Sequence, residues 1–110
     1  MLVTTTMDVN GYQVVQYCGV VRGLIVRSPT IMQGFMGGLK NLIGGNIGAY
    51  TTMCETARQQ AYDLMISHAA RLGANAILGM RYDASQVLAE RYSSTEVLCY
   101  GTAVIIEKIK

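Results

Sequence analysis

The stretch Leu72-Gly73-Ala74-Asn75-Ala76-Ile77-Leu78-Gly79 decides how this chain folds, because it ends a helix and begins a strand within four residues. The residues before it place apolar side chains at helical spacing. Gly73 stands where many helices end in a left-handed residue. The residues after it, 76–83, are predicted to form a strand. The phrase therefore predicts a helix that turns directly into a sheet.

The helix ahead of this phrase is the longest one that the sequence predicts. Thr52 with Glu55 fits a capping box, although a start at Asn46 fits equally well. One face of the helix is apolar at i, i+3 and i+4 spacing and is expected to face a sheet. Its members are Met53, Ala57, Ala61, Leu64, Met65, His68, Ala69 and Leu72.

Two further long strands are predicted on either side of this unit. The first runs from Tyr12 to Arg27, where β-branched and aromatic residues dominate and both faces are apolar. A strand buried on both faces needs a cover on each side. The second spans residues 95–109, after a polar connection at 83–94 that fits either a hairpin loop or two extended arms. Residues 2–5 fit a short strand.

A short helix is predicted over residues 28–43, because Ser28-Pro29 is a typical helix start and apolar residues follow at helical spacing. The order of elements then predicts an α+β domain of two layers with β-α-β-β order, spanning residues 1–110. We expect a three-stranded antiparallel sheet covered by one long and one short helix.

The composition favours a homo-oligomer. Hydrophobic residues make up 51% of the 110 residues and charged residues only 15%, against roughly 25% in an ordinary soluble domain. A small domain has much surface to cover, and few charged side chains are present to cover it. No apolar run approaches the ~18 residues of a membrane span. The simplest explanation of the many apolar residues is therefore that copies of the chain bury apolar surface against one another.

Charge and cysteine content exclude several classes of protein. A net charge of +2 with no basic run does not indicate nucleic-acid binding. Three widely spaced cysteines, Cys18, Cys54 and Cys99, form no disulfide framework. The N-terminal sequence lacks the pattern of a signal peptide. We therefore expect a cytoplasmic protein with reduced thiols and without nucleic-acid or membrane partners.

Four ordered motifs carry a resemblance to a known family. Beyond the opening phrase they are Gly44-Gly45-Asn46-Ile47-Gly48-Ala49-Tyr50, Ala57-Arg58 and Gly101-Thr102-Ala103-Val104, and Cys18-Gly19-Val20-Val21 adds to them. Together they resemble the YbjQ-like family of small bacterial proteins. The resemblance implies a dodecin-like subunit fold, assembly into pentameric rings, and the family's label "putative heavy-metal-binding domain". Thr51 stands where members of the family often have Glu.

Candidate metal ligands are scattered along the chain. Soft metals need thiolates and imidazoles that converge within ~2.3 Å of one ion, and no Cys-x-x-Cys pair is present. Cys18 and Cys99 could approach each other if their strands pair, with His68 completing a three-ligand site. The spacing favours ordinary interior packing of these three residues. A ring could instead gather one copy of a ligand from each subunit.

No pattern in the sequence predicts a catalytic site. The chain has one histidine, no nucleophile elbow and no evident base for Cys54. The glycine-rich residues 37–48 fit either an anion-binding loop or, more simply, a tight connection. The first hypothesis is a non-enzymatic binding or assembly protein, and the resemblance to the YbjQ-like family implies a soft or borderline metal ion as its ligand. The alternative is a small-ligand carrier with sites between subunits, and an enzyme with an inter-subunit site ranks last.

Overall fold

A computed structural model describes residues 1–27, 47–89 and 92–110 of the chain. This part contains β1 (Leu2–Val3), β2 (Tyr12–Arg27), α1 (Ile47–Arg71), β3 (Ala76–Ala89) and β4 (Tyr92–Lys108). The strands form one sheet in the order β1-β3-β4-β2, and α1 packs on one face of it, mainly against β2. The α+β class is confirmed. The predicted short helix over residues 28–43 lies outside the described residues, as do residues 37–46 of the glycine-rich segment.

The prediction of a three-stranded antiparallel sheet has to be corrected, because the described residues form a mixed sheet of four strands. β1 runs parallel to β3, with Leu2 opposite Ala76. The N–H of Leu2 donates to the carbonyl of Asn75 at 3.2 Å, and that of Thr4 to the carbonyl of Ile77 at 3.0 Å. The start of the chain thus satisfies backbone groups of β3 that would otherwise form an open edge.

The phrase at residues 72–79 folds as predicted. The helix ends at Arg71, and Gly73 has a φ of 78°, which a side chain would disfavour. Asn75 then binds the end of β4 through its side chain. Its Oδ1 accepts from the N–H of Ile106 at 2.8 Å, and its Nδ2 donates to the carbonyl of the same residue at 3.0 Å. This amide pairs with the backbone as a strand neighbour would and fixes where β3 begins.

One of the two predicted starts of the long helix is wrong. Thr52 is not an N-cap, because it lies inside the helix and its hydroxyl donates to the carbonyl of Gly48 at 3.1 Å. Such a bond to the residue four positions earlier is typical of threonine within a helix. The other predicted start, at Asn46, falls immediately outside the described residues.

Small side chains bring the helix close to the sheet. Of the predicted apolar stripe, Ala57, Ala61, Met65 and Ala69 are buried, whereas Leu64 and Leu72 remain 45% and 43% exposed. The narrow stripe sits over Gly23 of β2. A Cβ atom there would meet the carbonyl oxygen of Ala61 and would lie 2.7 Å from the backbone nitrogen of Met65. Helix backbone therefore rests directly on strand backbone, which only glycine allows.

The predicted connection between the last two strands is a pair of extended arms. β3 and β4 pair from Ala76 opposite Val104 to Ala89 opposite Tyr92. Strand pairing thus continues through most of the polar residues that fitted a loop equally well. β2 occupies the predicted residues and pairs along β4 from Tyr12 opposite Lys108 to Arg27 opposite Thr95.

Candidate functional site

Cys99 lies at the centre of the core between helix and sheet. It is fully buried, and its Sγ donates to Sδ of Met65 on α1 at 3.6 Å. Burial raises the pKa of the thiol from 9.0 to about 11, and a hydrogen bond with Tyr82 offsets only part of that rise. With that pKa, forming the thiolate at pH 7 costs about 5 kcal/mol. Metal ions bind the thiolate, so this environment opposes metal binding at Cys99.

The register of the sheet keeps Cys18 away from Cys99. Their strands do pair, but Cys99 lies opposite Gly23, five residues from Cys18 along β2. At about 3.3 Å per residue the two positions are roughly 16 Å apart along the strand. Cys18 lies at a bulge between Tyr17 and Gly19, is half-buried, and packs against the side of the core that faces α1.

His68 is bound to the backbone of the edge strand. Its Nδ1 accepts a hydrogen bond from the N–H of Arg22 in β2 at 3.3 Å, and its side chain is half-buried. A nitrogen that accepts from an N–H carries no proton itself, so the neutral imidazole has its proton on Nε2. Coordination of a metal through Nδ1 would therefore leave the N–H of Arg22 without its acceptor.

These positions do not fit a heavy-metal site within one chain. Among the described residues no three side chains of His, Cys, Asp or Glu are grouped so that they could hold an ion. No sequence pattern pairs Met65 with Cys99, because Met65 is simply one member of the apolar helix stripe. Only the packing of α1 on β4 brings the two sulfur atoms together.

One face of the sheet and one of its edges are uncovered near the far end of β2. β4 is the only strand beside β2 in the described sheet, so the backbone groups on the other side of β2 have no strand partner. Val20, Leu24 and Val26 point away from the helix and are 70%, 45% and 51% exposed. A long edge strand with an apolar exposed face is a template for pairing with another chain.

The opposite end of the same face is covered by the chain itself. A second buried cluster there comprises Ala76, Leu78, Val104 and Ile106, with Val9 and Val14 packed against it. The chain's own residues therefore cover this part of the face. Only the part next to Val20, Leu24 and Val26 lacks a cover from the described residues.

We find no helix in the described part of the chain that could serve as a membrane span.

Comparison with known proteins gives a consistent family match. The YbjQ family model, described as "Putative heavy-metal-binding", matches residues 1–107. A UPF0145 protein of Legionella pneumophila (strain Corby) is 57% identical over 106 residues, which cover 96% of this chain and 98% of that protein. A UPF0145 protein of Chromobacterium violaceum is 51% identical over 108 residues, covering 98% and 90%.

A solved structure supports the fold. A protein of unknown function of the DUF74 family from Pediococcus pentosaceus aligns with a TM-score of 0.63 and covers 97% of this chain and 98% of its own. The two sequences are 22% identical, so the likeness concerns the fold alone.

Proposed function

The chain belongs to the YbjQ-like family, and on that basis we propose that it is a non-enzymatic assembly protein whose metal ligands come from more than one copy. Copies pair through the outer edge of β2, which has no strand partner among the described residues, and through the apolar face beside it. The closed arrangement that the family resemblance implies is a pentameric ring. The observation that carries the proposal is the long strand β2, whose outer edge has no strand partner among the residues that the structure describes.

The backbone of β2 supports a strand partner. Its 16 residues make it one of the longest elements of the sheet, and soluble proteins rarely leave such an edge open unless something pairs with it. The lateral surface next to the edge is apolar at Val20, Leu24 and Val26. A second copy offers the same combination of backbone groups and apolar side chains.

Assembly also supports the family's metal label, which one chain alone does not. Because a ring repeats each ligand around its axis, a thiol or imidazole that is solitary in one chain can converge with its copies. Cys18 and His68 are half-buried and belong to or contact β2. Cys99 is fully buried and its thiol is held protonated. Cys18 and His68 are therefore better candidates for shared ligands than Cys99.

The hydrogen bonding of His68 and the burial of the Cys99 thiol support a protein without catalytic activity. The only histidine uses Nδ1 to bind a backbone N–H, and burial raises the pKa of the Cys99 thiol. Neither is prepared as a base or nucleophile. We also propose a cytoplasmic location, which is supported by the free thiols of Cys18, Cys54 and Cys99.

Mass measurement in solution tests the assembly. We expect native mass spectrometry of the wild-type chain to give one closed oligomer, and Leu24→Lys to dissociate it, since a charge would be buried in the interface. Ser67→Lys adds the same charge on an exposed position of α1 and should leave the oligomer intact. A wild-type monomer, or an oligomer unaffected by Leu24→Lys, would contradict the proposal.

Metal content then tests the shared ligands. We expect Zn²⁺ or Cu⁺ to be retained by the oligomer in a ratio fixed by its subunit number, and to be lost in Leu24→Lys, Cys18→Ser or His68→Gln. Cys99→Ser should retain the metal if it folds, and circular dichroism checks that it does. Equal uptake by the monomeric Leu24→Lys variant would show that one chain suffices and would overturn the proposal.

A further inference from the structure

A cleft of about 410 Å³ lies between the first half of α1 and the adjacent ends of β2, β3 and β4. Its volume falls within the roughly 300–1,000 Å³ typical of sites for small molecules. Small side chains create it, because Ala57 on the helix and Ala84 on β3 leave space between the layers. The apolar walls include Met53 and Val97, and Ala57 and Val97 are buried.

Two arginines give this apolar cleft a positive charge. Arg27 at the end of β2 and Arg58 on α1 line it, and the described lining residues include no carboxylate. The guanidinium of Arg27 donates to the side-chain oxygen of Gln60, and that of Arg58 lies 5.4 Å from the centre of the Tyr82 ring. Both partners are uncharged, so neither contact neutralises the cation.

The same charges argue against a metal ion in the cleft. Met53 and Cys54 contribute two sulfur atoms to the lining, and soft metals favour such ligands. Two guanidinium groups at close quarters would, however, repel a cation. A carboxylate is the complementary group, because a guanidinium donates two parallel hydrogen bonds to it.

We propose that this cleft binds a small organic anion with an apolar body, an aryl or medium-chain alkyl carboxylate. The carboxylate faces Arg27 and Arg58, and the apolar body lies against Ala57, Ala84 and Val97. All the described lining residues come from one chain. Binding is therefore independent of the assembly through β2, and either idea can fail while the other holds.

The probe for the test is 2-naphthoate, with neutral 2-naphthalenemethanol as its matched analogue. We expect the naphthoate to bind once per chain in titration calorimetry and at least about tenfold more tightly than the alcohol, as the loss of a charge-assisted hydrogen bond implies. Leu24→Lys should bind it equally well. Equal affinities for acid and alcohol would overturn the proposal.

Variants identify the site within the chain. Arg27→Met and Arg58→Met keep the length of the side chain, and each should weaken binding about tenfold or more. Arg71→Met, at an exposed position in the last turn of α1, is the matched control and should leave affinity unchanged. Ala84→Phe fills the cleft and should abolish binding. Unchanged binding in a folded Ala84→Phe variant would refute the location.

Cys54 provides a readout that needs no substitution. Its thiol is exposed and lines the cleft, so bound 2-naphthoate should slow its alkylation by iodoacetamide, while the alcohol at the same concentration should not. Mass spectrometry of the digested protein assigns the label to Cys54 or Cys18. Alkylation of Cys54 at the same rate with and without saturating naphthoate would overturn the proposal even if every variant misfolded.

Discussion

The buried thiol of Cys99 makes the stability of the fold depend on alkaline pH in a way that can be calculated. Burial raises its pKa from 9.0 to about 11. Because the folded-state value is the higher one, the protonated thiol stabilises the fold fully below pH 9. This stabilisation is lost as pH rises towards 11. A shift of two units corresponds to about 2.7 kcal/mol, of which about 2 kcal/mol is lost between pH 8 and pH 10.5.

The measurement compares wild type with Cys99→Ala by urea unfolding, followed by circular dichroism at fixed protein concentration under reducing conditions. We expect the difference in free energy of unfolding between the two proteins to change by about 2 kcal/mol from pH 8 to pH 10.5, in favour of the variant. Burial, with Cys99 nearby, also raises the pKa of Tyr82, so the pair is measured again with Tyr82→Phe in both proteins.

The control for this experiment is Cys54→Ala, which removes a thiol from the exposed surface of α1. It separates the effect of burial from general destabilisation of the protein by alkali. If the difference between wild type and Cys99→Ala stays constant over this pH range, Cys99 ionises equally easily in the folded and unfolded chain. The explanation of its poor suitability as a metal ligand would then be wrong.

Four further substitutions test how the layers are held together. Asn75→Ala should lower the free energy of unfolding by about 1–3 kcal/mol, because the N–H and C=O of Ile106 lose their partner. Chemical denaturation measures this free energy. A loss below ~0.5 kcal/mol would show that water replaces the amide. Gly23→Ala should cost about 2 kcal/mol or more by pushing α1 off β2, and a neutral effect on the melting temperature would disprove the close contact. Met65→Ala should lower the free energy of unfolding by about 2–5 kcal/mol. Leu64 is half-exposed beside Met65, so Leu64→Ala should lower it by less than about 1 kcal/mol. Equal losses would show that a different face of the helix packs against the sheet.

Much of the secondary structure follows from local signals. The run of β-branched residues predicts β2 with its observed ends, and Gly73 predicts where α1 ends. Thr52 and Glu55 match a capping box without forming one, because this pattern of two residues also occurs inside helices. The arms of β3 and β4 were ambiguous for a different reason. Their polar residues disfavour burial but permit pairing with each other.

Local sequence patterns do not predict whether the candidate metal ligands lie together. The sequence contains the ligand types, at Cys18, His68 and Cys99, and packing decides whether they meet. Strand register places Cys18 and Cys99 five residues apart, and register depends on which side chains must share a face along the whole strand. No motif in the sequence indicated the cleft with Arg27 and Arg58, because its residues come from four separate elements.

By itself the sequence determined the order of the elements, the end of the helix and the membership of the family, because each of these depends on neighbouring residues or on motifs that can be read along the chain. The tertiary structure alone decided three other features. They are the parallel pairing of residues 2–3 with β3, the buried thiol beside Met65, and the lack of a strand partner for the outer edge of β2 among the described residues. All three depend on contacts between residues distant in sequence, and the free energy of such contacts exists only once the layers have packed.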